Sequence, residues 1–210
     1  MRRFLFWLIG LALIGGLCWL RPPFRIVPLG QAQQKQLRGA FDAPAVARAF
    51  WDQKLLPATA RAVPVAELLT ALAQDPAAAR QRFGRALGLS SSVCFFVQGS
   101  GRITALDKEG IHVALDDGPA GAGVRLSTGL LFGNTVRDAT GLLDVNEFPN
   151  SQDFNALSAE LNHLVEHRVL PALRNHAAMA KTIRFAGCLE LEEGPTPETL
   201  QVIPVKVEWP

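Results

Sequence analysis

Residues 92–107 read SVCFFVQGSGRITALD, and this stretch decides the fold. β-Branched and aromatic residues crowd it, so it predicts a strand, and Gly99 and Gly101 break the run, so the strand should bend or bulge. Further strands are expected at Ile111 to Leu115, at Gly123 to Ser127 and, more briefly, at Leu142 to Val145. Asp116-Asp117-Gly118 and the small residues up to Gly123 supply a turn between the first two of these. Asn150 or Ser151 then caps a long helix reaching about Arg168, with Phe154, Leu157, Leu161, Leu164 and Val165 on one side, and Pro171 ends or kinks it. Thr182 to Glu192 and Leu200 to Trp209 close the chain as two strands around the loop Glu193-Gly194-Pro195-Thr196-Pro197. Three strands, a helix and two strands, the first strand bent by glycine, is the element order of an OB-fold-like β-barrel, and the class is α+β. That order names no ligand, because a barrel of this kind hosts unrelated functions.

Upstream of the barrel, which should span 87–210 with its helix at 151–170, residues 41–86 read as a helical subdomain. Asp42 is an N-cap, Pro44 sits in the first turn, and Val46, Phe50, Trp51 and Leu55 recur at helical spacing until Pro57. Val65 to Ala73 repeats the pattern with Leu68, Leu69 and Leu72, and Asp75-Pro76 opens a short helix to about Gly84. Residues 22–40 carry prolines and then polar residues without periodicity, which suits a tether.

The first 21 residues say where the chain lives. Residues 4–20 read FLFWLIGLALIGGLCWL without a charge, and at about 1.5 Å per residue this run makes a tight transmembrane helix. Arg2 and Arg3 keep the N-terminus in the cytoplasm, which places the body in the periplasm, held at the bacterial inner membrane. A cleaved signal peptide and a lipoprotein signal share this layout. Cys18 is the candidate lipidation site, although Leu17 stands where a lipoprotein signal carries a small residue. No A-x-A-like cleavage site follows and Trp19 and Leu20 continue the apolar run, so the expectation is an uncleaved signal anchor, with the other two layouts as alternatives.

Composition narrows the function further. With 49% hydrophobic and 19% charged residues in a chain of 210, a packed core is expected and a disordered chain is excluded. The formal charge is +2, and setting aside Arg2, Arg3 and Arg21 around the apolar run leaves 18 basic residues against 19 acidic ones. That balance argues against nucleic acid, whose binders need a net basic face. Beyond Cys18 only Cys94 and Cys188 remain, a candidate disulfide in an oxidising compartment or else two small buried hydrophobes in apolar strands.

Several patterns could carry chemistry. His163-Leu164-Val165-Glu166-His167 is an H-x-x-E-H arrangement, the weak alternative of a zinc-dependent hydrolase using His163 and His167. It has no marked third ligand, and Glu160, His163 and His167 group away from Leu157, Leu161 and Leu164, which predicts a solvated polar face. The glycine-rich stretches at 99–101 and 118–123 precede neither Lys-Ser/Thr nor a helix start, and no G-x-S-x-G occurs, so no cofactor and no catalytic residue is expected. Arg137-Asp138 lies between two apolar runs, Gly129 to Phe132 and Gly141 to Val145. Charges held there need partners: they form an ion-pair hub with Asn134 or Asn150, or they meet a polar ligand or a partner protein through the planar guanidinium fork.

Taken together, Phe41-Asp42, the Trp51, Lys54 and Pro57 of FWDQKLLPA, Gly84, VQGSGRITALD, GNTVRDATG, FPN at 148–150, Leu161-Asn162 and the closing IPVKVEW give the chain a likeness. From about Phe41 to Val207 it resembles the family labelled domain of unknown function 2291, predicted periplasmic lipoproteins often encoded beside sugar ABC-transporter components. It departs from that pattern at Phe132, where the family has arginine, and at Asn150-Ser151, where the family has Asn-Gln. The resemblance implies an OB-like barrel, an envelope location and a link to sugar uptake, and it supplies no reaction. The expectation is therefore a non-enzymatic, membrane-anchored periplasmic accessory or binding protein. Its partners would be the inner membrane and an ABC transporter or periplasmic sugar-binding component, and the remaining alternative is a structural envelope scaffold.

Overall fold

The computed structural model describes residues 41–86 and 92–210. The expected anchor at 1–21, the tether at 22–40 and Cys18 lie outside the described residues. Among the described residues no helix is long and apolar enough to cross a membrane.

From Asp42 onward the chain packs as one unit. Helix α1 (Ala43–Phe50) starts where Asp42 accepts a hydrogen bond from the Ala45 amide at 3.0 Å, and it buries Ala43, Ala47 and Phe50 on one face. Pro57 does not end this helix. A π-helical turn, Trp51–Leu55, carries the buried face on through Trp51 and Leu55, and a short α-turn, Leu56–Ala58, follows before the chain tightens into a 3-10 turn. Proline lacks an N–H and crowds the carbonyl four residues back, and the wider turn placed just before it shifts the hydrogen-bond ladder by one residue. Strand β1 (Val63–Pro64) leads into α2 (Val65–Gln74), and Asp75 caps α3 (Pro76–Phe83) by accepting from the Ala77 and Ala78 amides at 3.0 Å.

The long strand is β2 (Val93–Leu106), followed by β3 (Gly110–Leu115) and β4 (Gly123–Ser127). Between β4 and the last two strands come α4 (Thr135–Asp138), a 3-10 turn (Val145–Glu147), α5 (Ser151–Leu164), a second π-helical turn (Val165–Val169) and α6 (Leu170–His176). This second π-turn again stops two residues before a proline, Pro171, so that proline interrupts the helix without ending it. Strands β5 (Thr182–Leu191) and β6 (Leu200–Glu208) complete the sheet.

Pairing closes the barrel. β2 runs antiparallel to β3, β3 to β4, β6 to β5 and β5 back to β2, while β4 and β6 are parallel, and this circuit is an OB-fold barrel. β5 takes one edge of β2 from Val93 to Arg102, and the other edge is divided, with β1 covering Val97 and Gln98 and β3 covering the part beyond Gly101. Gly101 and Arg102 therefore stand in two ladders at once. The expected bulge is real but lies at Thr104, where the β2–β3 register slips, and not at the glycines. Gly101 answers a different demand: a Cβ there would stand 2.2 Å from the Ala114 carbonyl oxygen, so only glycine lets the strands approach where the ladders overlap.

Two expectations need correction. Leu142 to Val145 forms no strand, because Asp144 accepts from the Asn146 amide at 2.9 Å and turns the chain, and the β4 edge is already taken by β6. Cys94 and Cys188 form no disulfide: both are buried free thiols. In the β2–β5 ladder Cys94 faces Glu190 and Cys188 faces Phe96, so the cysteines are diagonal neighbours. Diagonal Cα atoms stand roughly 7–8 Å apart, too far to bridge without moving the backbone.

Candidate functional site

β4 ends at Ser127, and the chain leaves the barrel through residues 129–134, Gly-Leu-Leu-Phe-Gly-Asn. Side chains alternate along an extended segment, and here the alternation is complete: Leu130 is 78% exposed, Leu131 is buried and Phe132 is 79% exposed. Gly133, at φ +82°, supplies the left-handed residue that lets the loop turn into α4. Two large apolar side chains thus stand in water on adjacent outward positions.

The backbone beneath them is pinned. The Arg174 guanidinium donates to the Thr128 carbonyl. The Leu131 amide donates to Glu166 Oε1 at 3.0 Å, and Asn162 Nδ2 donates to the Gly133 carbonyl at 3.1 Å. Thr135 Oγ1 donates to Glu190 Oε2 at 2.8 Å, tying α4 to β5. Exposure of Leu130 and Phe132 is therefore built into a held loop.

Behind the loop sits the hub that the sequence pointed to. Arg137 and Asp138, 5% and 8% exposed, form a two-pronged ion pair: Nε to Oδ1 at 2.5 Å and Nη2 to Oδ2 at 3.0 Å. Arg137 Nη1 donates to the Phe154 carbonyl and to Asn155 Oδ1, both at 3.2 Å, and the guanidinium carbon lies 3.7 Å from the centre of the Phe154 ring. Every nitrogen of this guanidinium is engaged inside the protein. Both side chains are buried, and Arg137, held by Asp138, ties α4 to α5.

The loop divides two clefts. One, of about 500 Å³, lies toward the barrel wall and is lined by Lys108, Glu109, Arg125, Thr135, Glu190 and Gln201 with Leu130 and Phe132. The other, of about 470 Å³, lies between the loop and α5, where Asn155, Ser158, Asn162, His163 and Glu166 face Leu130, Phe132 and Asn134. Asn155, Ser158, Asn162 and Glu166 recur at helical spacing, so one stripe of α5 and the π-turn after it offers polar groups along the cleft. Ser158 is buried, and its hydroxyl has no hydrogen-bond partner among the described residues.

The remaining expected residues are dispersed. Asn134 and His163 do share the second cleft. Asn150 does not reach it: its Oδ1 accepts from the Asp153 amide at 2.8 Å and its Nδ2 donates to the Asp153 carboxylate, so it is the cap of α5. His163 and His167 are exposed and meet edge to face with ring centres 5.7 Å apart, and Glu166 is occupied by the Leu131 amide. Among the described residues no group of three or more His, Cys, Asp or Glu could hold a metal ion. Burial pushes the Cys94 thiol up to about 12, with Glu190 and Asp138 adding to it, and burial raises Cys188 further, so neither is a nucleophile at ordinary pH. Leu130, Asn155 and Ser158 were not singled out by the sequence, and Phe132, Asn162 and Glu166 stood out only in the family likeness and the H-x-x-E-H pattern, although two glycines bracketing an apolar triplet were visible.

Comparison with known proteins bears on this arrangement. The model of the family DUF2291, described as a predicted periplasmic lipoprotein, matches residues 8–208. The chain is similar to a solved OB-fold protein from Thermotoga maritima, at 27% identity, with a TM-score of 0.72, covering 82% of this chain and 100% of that one. No curated protein matches it in sequence.

Proposed function

We infer, from the premise that the chain belongs to the DUF2291 family of predicted periplasmic lipoproteins, that it is a non-enzymatic accessory protein docking on a partner through loop 129–134. Its place is the periplasmic face of the inner membrane, held by the N-terminal apolar segment, and its partner is a sugar ABC importer, either the transporter or its sugar-binding component. The single observation that carries the docking is the pinned loop with Leu130 and Phe132 outward. Leaving two such side chains in water forgoes about 1.5–3 kcal/mol each, which a partner recovers by covering them. A loop already held in place also loses little freedom on binding, so more of that gain appears as affinity. The importer assignment rests on the family resemblance, and the envelope address on the family and on the charge pattern of residues 1–21.

The experiment compares native chain with Phe132→Ser in copurification from crosslinked membranes. The native protein should retain an importer component, Phe132→Ser should retain roughly ten-fold less, and the two should melt within about 2 °C of each other because the side chain is exposed. Failure to retain any importer component, or equal retention by the variant, defeats this reading.

A further inference from the structure

We propose that the cleft between loop 129–134 and α5 binds a small, neutral, ring-shaped polyhydroxylated molecule of the carbohydrate or cyclitol class. This deepens the accessory reading by assigning the protein a ligand of its own, and it is tested without any importer present.

The lining fixes the chemistry. Its amides are half used: Asn155 Oδ1 accepts from Arg137 and Asn162 Nδ2 donates to the Gly133 carbonyl, so each amide has one defined orientation. The unused halves are opposite in kind, a donor on Asn155 and an acceptor on Asn162, and between them on the same helical stripe lies Ser158. A hydroxyl both donates and accepts, and among the described residues the buried Ser158 Oγ has neither role filled. Glu166 adds an acceptor beyond Asn162, since only its Oε1 is occupied, by the Leu131 amide. Ser158 Oγ has almost no open surface, so its side chain must turn toward the cleft on binding; the stripe then offers a row of donor, donor-acceptor, acceptor and acceptor that matches adjacent hydroxyls on one molecule.

The opposite wall is mainly apolar, formed by Leu130 and Phe132 with Asn134 at its end. An occupant must therefore show one hydrogen-bonding edge and one C–H face, and a ring bearing equatorial hydroxyls does so. Charged ligands fit poorly. No Lys or Arg lines the cleft and its one basic side chain is the exposed His163, so an anion beside Glu166 finds no permanent counter-charge, and a lone carboxylate does not make a cation site. A purely hydrocarbon ligand would bury the amides and the hydroxyl without partners. At about 470 Å³ the cleft also has the size of an ordinary small-molecule site.

The test uses the full chain in a detergent without a sugar headgroup, titrated by calorimetry with D-glucose, D-galactose, D-xylose and myo-inositol, and with phosphate and glycylglycine amide as comparators. At least one ring compound should bind saturably below about 10 mM, more tightly than either comparator. Ser158→Ala should weaken that binding roughly 3- to 10-fold, the loss expected for one neutral hydrogen bond, without lowering the melting temperature, since it removes an unsatisfied buried group. Ala159→Phe, at an exposed position on the same wall, should abolish binding by filling the cleft. Absence of saturable binding by every ring compound overturns the proposal, as do tighter binding of phosphate or the dipeptide amide and binding that survives Ala159→Phe. The docking experiment at Phe132 reads a different quantity, so either idea can fail alone.

Discussion

Replacing Arg137 by alanine isolates what the buried hub does. The substitution leaves the Asp138 carboxylate, 8% exposed, without its two-pronged partner, strips the Phe154 carbonyl of its Nη1 donor and removes the cation from the face of the Phe154 ring. Orphaning one member of a buried ion pair costs about 3–5 kcal/mol, and the abandoned carbonyl belongs within the same range because the two losses share one side chain. A loss of about 4 kcal/mol in a folded unit running from Asp42 to Pro210 lowers the melting temperature by roughly 8–16 °C. Urea unfolding followed by circular dichroism measures the free energy directly. The control is the double variant Arg137→Met with Asp138→Leu, which removes both charges together and should lie within about 1.5 kcal/mol of the native protein. A loss below about 1 kcal/mol for Arg137→Ala, or a double variant as unstable as the single one, refutes the hub. Loss of importer capture at unchanged stability would instead return Arg137 to the binding surface.

Three other outcomes follow from the geometry. Peptide mapping after iodoacetamide at pH 8 should find Cys94 and Cys188 unmodified in the native chain and both modified after denaturation, with a melting temperature indifferent to reductant; native labelling or a reductant-sensitive transition contradicts the buried free thiols. The hydrogen bond from His112, with those from the Glu109 and Gly110 amides, holds the Asp107 carboxyl below its ordinary value. A depressed value means that the turn is strengthened above the unfolded carboxyl range near about 4 and loosens as pH falls through the folded value, so the Glu109 and Gly110 amide resonances should move only below about pH 4. Movement centred above that range would show that the carboxylate is not held. Gly101→Ala should cost roughly 1–3 kcal/mol, since its methyl would overlap the Ala114 carbonyl, whereas Gly129→Ala, with open space around it, should be silent. Equal stability of the two variants would remove the close-approach argument.

The barrel and the helices were legible because they rest on local signals: the β-branched run at 93–106, the capping residues Asp42, Asp75 and Asn150, and the apolar side of α5. Local rules failed where tertiary space set the outcome. Pro57 looked terminal because the sequence does not advertise a π-turn, and Gly101 looked like a bulge because the nearness of the Ala114 carbonyl is a fact about two ladders meeting. The hub was readable as two charges between apolar runs, but its inward direction was not, since residues adjacent in sequence do not normally share a face and α4 is a single turn. The cleft was the least visible part. Leu130 and Phe132 read only as members of an apolar run, and the solvated face expected on α5 was Glu160, His163 and His167, not the stripe of Asn155, Ser158, Asn162 and Glu166. Only the loop folded over α5 makes either one a wall.

The circuit of strands also governs how the molecule can be made. All ten rungs between β2 and β5 join positions 93–102 to positions 182–191, so the strand formed first must wait for partners synthesised 80 to 98 residues later. Until then an apolar ribbon with a bare edge is open to pairing with another copy of itself, and assembly of such distant contacts is slow. Any chain delivered N-terminus first therefore passes through a stage in which only shielding by other proteins, or a low local concentration, keeps that edge for its rightful neighbour.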